Sequence, residues 1–219
     1  MDDENLILVL GLGLVGYWYY TNYVGAPASG DGGDGVPGVP GDTPTGVDAI
    51  VNSGGAAVQQ QPLAATPGVT NVQMAPADIY TAAEQALGLA NITDISPAML
   101  TTIAMIESSG NCAACRFEPA LNDSSYGLCQ TLLGTATWLY NSLGATALGA
   151  PTADSLADAG NSLYFGACYL HWLRNYRRET QSDEFVVRGY NGGPNGINES
   201  ATANYWATFQ NDYTSLGFS

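Results

Sequence analysis

No aromatic residue and no arginine occurs in residues 25–76, a stretch of 52 positions that holds 11 glycines and 7 prolines. A segment without large side chains cannot offset the entropy lost on ordering its backbone. A packed core must therefore come from the rest of the chain. The run GDGGDGVPGVPGDTPTG approaches a collagen composition, but glycine does not keep every third place, which excludes a triple helix. Residues 25–76 are expected to be a flexible, disordered linker. As a coil it reaches some tens of ångströms, about 5–6 Å × √n.

Two unlike segments flank this linker. Residues 6–24, LILVLGLGLVGYWYYTNYV, carry no charge. At ~1.5 Å per residue the run just spans a bilayer core. Tyr17, Trp18, Tyr19, Tyr20 and Tyr23 crowd its second half, which suits the lipid–water interface. A cleaved signal peptide is the rival reading, with Ala26-Pro27-Ala28 following the run. The preceding Met-Asp-Asp-Glu-Asn is acidic where a signal peptide needs positive charge. A retained anchor in residues 1–24, held in a lipid bilayer through 6–24, is the expectation. Neither flank carries Lys or Arg, so orientation stays open.

Residues 77–219 hold the other 17 aromatics and all five arginines, and read as one folded domain. The pattern is helical throughout. Residues 77–87 stop at Gly88. Ser96-Pro97 opens a helix, with Ser as N-cap and Pro at the first helical position. Residues 135–143 end at Gly144, residues 161–177 form a long amphipathic helix, and Ser182-Asp183-Glu184 opens another that Asn191-Gly192-Gly193-Pro194 breaks. Residues 202–213 close the domain. No sustained two-residue alternation appears, so the fold class is all-α with few and short strands.

The chain has 20 acidic residues against 5 basic, a net charge of −15, and no lysine. There is no cationic footprint for nucleic acid, so nucleic-acid binding is excluded, and no basic patch for anionic lipid heads. Within the domain, Glu107 shares a helical stripe with Leu100 and Ile103 and stands at the helix exit. A carboxyl on an apolar face has its pKa raised by desolvation, which suits a general acid. Alone, such a residue is more often a surface group of a last turn.

Its surroundings are Glu107-Ser108, then Gly127-Leu128-Cys129-Gln130, then Tyr190-Asn191-Gly192-Gly193-Pro194. In this order, with helices between, they resemble the signatures of the soluble lytic transglycosylase domain of the lysozyme-like superfamily. The resemblance runs from about Ala98 to Tyr213. The stretches CRFEPALNDSSYGLCQ and EFVVRGYNGGP are similar to lysozyme-like proteins of plants. It implies that Glu107 is the sole catalytic acid/base and that Gln130 is a sugar-binding amide. It further implies that the Tyr190 hydroxyl faces the carboxylate, that Asn191 orients the end of the cleft, and that Ser125, rather than Ser124, offers a hydroxyl there. Gly127 is expected to let the backbone approach the sugar. Cys129 departs from the family's usual Met.

Cys112-x-x-Cys115 reads as a local disulfide or two buried thiols; zinc would need two more ligands, so no metal or other cofactor is expected. The implied activity is cleavage of the β-1,4 bond between N-acetylmuramic acid and N-acetylglucosamine in peptidoglycan. A single Glu then yields a 1,6-anhydro product. Two alternatives stay open. A goose-type lysozyme would hydrolyse the bond with Glu118 or Asp123 holding water, and a catalytically idle relative would only bind glycan or serve a structural role. An anchored wall-cutting domain would face a bacterial envelope or belong to a membrane-containing virion.

Overall fold

The computed structural model describes residues 64–65, 72–119 and 121–219. The expected anchor at 6–24 and most of the expected linker lie outside the described residues. Among the described residues, no helix is long and apolar enough to cross a membrane. The fold is mostly helical with one small antiparallel sheet.

Helix α1 is Pro76–Leu89, with Pro76 at its first position. Helix α2 is Pro97–Ser108; the Ser96 hydroxyl accepts from Met99 N at 3.0 Å, and Ser109 ends it in the left-handed region at φ 54°. Ten of its twelve residues are buried. A helix buried on every side must lie inside the domain, and α2 packs against α1, α5 and α7. Helix α3 is Leu133–Leu143, closed by Gly144 at φ 74°; α4 is Ala153–Leu156; α5 is Ala159–Arg174; α6 is Asp183–Gly192, capped by Ser182; α7 is Ser200–Ser215.

The long helix expected over 161–177 stops at Arg174, followed by a tight turn at Tyr176–Arg178. The Asn175 side-chain amide explains the stop. It donates to His171 O at 2.9 Å and to Asp94 Oδ2 at 2.8 Å, so it competes with the next helical turn. Arg177 and Arg178 then take left-handed backbone. His171 also meets Asp94, at 2.7 Å, on the half-exposed side of α5.

The sheet runs in the order β1 Ala64–Ala65, β2 Ala114–Glu118, β3 Asp123–Tyr126, β4 Thr131–Leu132. Strand β1 pairs Ala64 with Cys115 and Ala65 with Ala114. Cys112 N donates to Val72 O at 3.0 Å, and Met74 N donates to Gly110 O at 2.9 Å. The tail of the expected linker therefore contributes backbone pairing to the domain, and α1 starts one residue before 77. All four cysteines are free thiols, with Cys112 and Cys129 buried.

These pairings carry a testable consequence. A chain starting at Ala77 loses β1, the 72–74 pairing and the Pro76 start of α1. It should melt roughly 3–8 °C below one starting at Gln59, equivalent to about 1–2 kcal/mol. Equal melting temperatures by calorimetry would show that residues before 77 contribute nothing.

Candidate active site

The stripe Leu100, Ile103, Glu107 on α2 is buried throughout; Glu107 itself is only 3% exposed. A carboxyl so placed needs a donor, and α7 supplies one. Tyr205 Oη donates to Glu107 Oε1 at 2.7 Å. Glu107 Oε2 is buried with no hydrogen-bond partner among the described residues. Burial is the main reason that the carboxyl is pushed up from 4.5 to about 8. The Tyr205 hydroxyl and the Arg116 charge oppose that rise, and the Glu118 charge adds to it. The group is therefore neutral at pH 7. With Oε1 accepting from Tyr205, the acid proton resides on Oε2. Such a group can give a proton to a leaving oxygen and, once charged, take one back.

Tyr190 is fully buried, but its hydroxyl donates to Cys129 O at 2.7 Å rather than to the carboxylate. The hydroxyl that meets Glu107 belongs instead to Tyr205, a residue that the motif comparison did not select. Tyr190 and Tyr205 are both held well above the usual phenol range, first by burial and then by neighbouring negative charge, including that of Glu107. Both stay protonated donors. Cys129, pushed up to about 12 by burial, is an apolar filler whose sulfur would stand 2.7 Å from a Cβ on Gly166. Asn191 is nearly buried beside Tyr190 in the last turn of α6.

Gln130 and Ser125 are brought together, away from solvent. The Gln130 amide donates to Ala114 O at 3.1 Å and to Gly127 O at 2.9 Å, and its oxygen accepts from Ser125 Oγ at 3.1 Å. Gly127 N also donates to Ala114 O, at 2.8 Å. The amide expected to bind sugar thus ties β2 to the turn before β4. At Gly127 φ is +72°, and a Cβ there would stand 2.0 Å from Leu156 O, so the missing side chain permits a close approach to α4.

The two nearby carboxylates are both engaged. Glu118 Oε1 accepts from Arg116 Nε at 2.5 Å. Asp123 Oδ2 accepts from Gly134 N at 2.8 Å and Oδ1 from Ser124 N at 2.7 Å. Helix α3 has no side-chain cap of its own, so Asp123 supplies a negative group to its positive end from the neighbouring strand.

A sequence signal for Tyr205 exists in hindsight. Thr202, Tyr205 and Phe209 follow i, i+3, i+7 and form the buried face of α7. A tyrosine on such a face needs a partner for its hydroxyl, as a buried carboxyl needs a donor.

A family model described as transglycosylase SLT domain matches residues 86–213, well over half of the chain. Glu107, Ser125, Gln130, Tyr190, Asn191 and Tyr205 all fall within the match. No curated protein matches the chain.

Two outcomes follow from this geometry. A carboxyl that titrates near 4.5 unfolded and near 8 folded binds its proton more tightly in the folded state. Its burial is without penalty below pH 4.5. The penalty grows as pH rises towards 8, to on the order of 4–5 kcal/mol. Glu107→Gln should therefore gain stability over the parent progressively between those pH values, read from urea midpoints; a constant difference would contradict the assignment. Gly127→Ala should cost at least about 2 kcal/mol, because it combines positive φ with a backbone collision.

Proposed function

The chain belongs to the transglycosylase SLT domain family of the lysozyme-like superfamily, and from that premise we propose a single-carboxyl lytic mechanism on peptidoglycan. Family membership carries glycan cleavage of the lytic-transglycosylase type. The finer reading concerns the carboxyl. Glu107 Oε2–H protonates the glycosidic oxygen between N-acetylmuramic acid and N-acetylglucosamine, and the bond to C1 breaks. The muramic acid C6 hydroxyl then attacks C1 and gives its proton to the Glu107 carboxylate. A 1,6-anhydro ring forms and no water is consumed. Tyr205 holds Oε1 throughout, so the charge that appears on Glu107 meets a donor already in place.

The observation that carries this reading over hydrolysis is the engagement of Glu118 and Asp123. An inverting hydrolase needs a second carboxylate to activate water. Here Glu118 is paired with Arg116, and Asp123 caps α3. Burial of Glu107 further favours attack by the substrate's own hydroxyl. Ser125 and Gln130 brace the hairpin, Tyr190 fastens α6 to the Cys129 carbonyl, and residues 6–24 anchor the enzyme in a membrane so that the linker delivers residues 77–219 to a cell wall, bacterial or met by a virion.

The decisive experiment is mass spectrometry of products from purified peptidoglycan. Anhydromuramyl ends are expected; reducing ends that take up ¹⁸O from labelled water would make the enzyme a hydrolase. Glu107→Gln should lower turnover by at least ~10²–10⁴-fold, and Glu118→Gln far less. Tyr205→Phe removes a hydrogen bond that favours the charged form. It should move the basic limb of the pH–rate profile, set near 8 by the Glu107 acid, to higher pH while lowering kcat. A limb that stays in place would remove Tyr205 from the acid/base unit.

A further inference from the structure

Helix α7 carries the tyrosine that meets Glu107, yet its start lacks the usual cap. Glu199, the residue before it, makes no side-chain bond to the first turn. The hold comes from Thr202, one turn before Tyr205 on the same buried face of α7. Its hydroxyl shares one proton between Glu199 O at 2.9 Å and Gly196 O at 3.0 Å, and accepts from Arg188 Nε at 3.4 Å. The Arg188 guanidinium, on α6, also donates to Glu199 O at 3.3 Å and to Glu184 Oε1 at 2.9 Å. The turn between the helices closes on itself through Gly196 N to Gly193 O and Glu199 N to Gly196 O, both at 3.1 Å.

The methyl of Thr202 meets a second feature. Gly192, in the Tyr190-Asn191-Gly192-Gly193-Pro194 motif, ends α6, and a Cβ there would stand 2.4 Å from Thr202 Cγ2. The absent side chain lets α7 seat this close to α6. Helix α6 is itself fastened by the Tyr190 hydroxyl on the Cys129 carbonyl. A line of contacts thus runs from Cys129 through α6 and Thr202 to Tyr205, about 4.5 Å further along the α7 axis, and on to Glu107. Its tolerance is small. The Tyr205–Glu107 bond is 2.7 Å long, and a displacement of about 1 Å takes it past the length of a hydrogen bond. An alanine at 192 demands a displacement of about that size, because ordinary contact begins near 3.4 Å.

We propose that Thr202, seated on Gly192 and held by Arg188, is a positioning residue that sets the height and rotation of α7 and so delivers the Tyr205 hydroxyl to Glu107. The inference rests on the acid/base reading of Glu107 above and adds what places its donor. The other groups that act on the carboxyl are Arg116 and Glu118 from β2, with Tyr190 from α6 and Cys129 beside it. Among the described residues the charges acting on Glu107 are Arg116 and Glu118, so an effect of Arg188 passes through Thr202. The Tyr205 bond favours the charged form, and its loss raises the proton affinity of Glu107. General loosening of the fold would admit water and lower that affinity, so the two causes differ in sign.

The test is a titration of the Glu107 carboxyl by ¹³C NMR on the full chain labelled at glutamate, with the signal assigned by its loss in Glu107→Gln. No substrate is present, so the result does not depend on turnover. Thr202→Val keeps the shape and removes the hydroxyl, while Gly192→Ala pushes on the same methyl from the other side. Each should raise the midpoint from about 8 by about 0.5–1 pH unit. Thr202→Ser keeps the hydroxyl and should titrate like the parent. In a Tyr205→Phe background, where the bond is already gone, Thr202→Val should add no further rise. Arg188→Gln weakens the hold from α6 and should give a smaller rise, which covers the case of a poorly folding Val or Ala variant. Midpoints that fall or stay in place, or a rise of equal size in the Tyr205→Phe background, would overturn the proposal. Failure of the catalytic reading is a separate result, seen as parent protein that releases no glycan fragments from the wall while the titrations behave as stated.

Discussion

The hydrogen bond from Tyr205 to Glu107 is the contact on which the site depends. A carboxyl with almost no exposure is costly unless it keeps its proton or finds donors. Glu107 does both in part: burial holds it neutral at pH 7, and Tyr205 fixes one oxygen while the other is buried with no hydrogen-bond partner among the described residues. The arrangement requires α2 to be enclosed, and α1, α5 and α7 enclose it. The charges of Arg116 and Glu118 on the hairpin also act on the carboxyl, in opposite directions. The helical lobe sets the acidity, and the hairpin tunes it.

The motif residues divide differently from what their sequence company suggests. Gly127, Gln130 and Ser125 converge on the Ala114 carbonyl and on each other, so that the turn before β4 is tied to β2. Their contribution is to hold the hairpin and the turn before β4 together as one unit. Tyr190 performs a similar task one layer in, fastening α6 to the Cys129 carbonyl. A frame built from buried side-chain hydrogen bonds resists displacement, because each broken bond leaves a desolvated polar group.

Much of the fold was legible in the sequence because it is encoded locally. Ser96-Pro97, Gly144 and Ser182 are caps whose action needs only neighbouring residues, and all three act as read. The stripe that buries Glu107 followed from helical spacing. What escaped reading depends on distant partners. Strands β2 and β3 are short and carry Arg, Glu, Asp and Ser, so nothing in their alternation marks them; they exist through pairing and through the Ser125–Gln130 bond. Asp123 caps a helix ten residues away in sequence, and Asn175 stops one by reaching Asp94. Pairing of Tyr205 with Glu107 is the extreme case, since no local pattern links two residues so far apart.

That separation bears on how the enzyme is made. Tyr205 follows Glu107 by 98 positions, and a ribosome delivers the acid long before the helix that completes its surroundings. A nascent chain that has released α2 and the hairpin still lacks α7, so the carboxyl stands in water, titrates as an ordinary glutamate and is ionised. Its acid form arises as the burial shared by α1, α5 and α7 is completed, and α7 is the last of these to be made. Synthesis from one end thus places the arming step last, and a prematurely terminated chain is a blunt one.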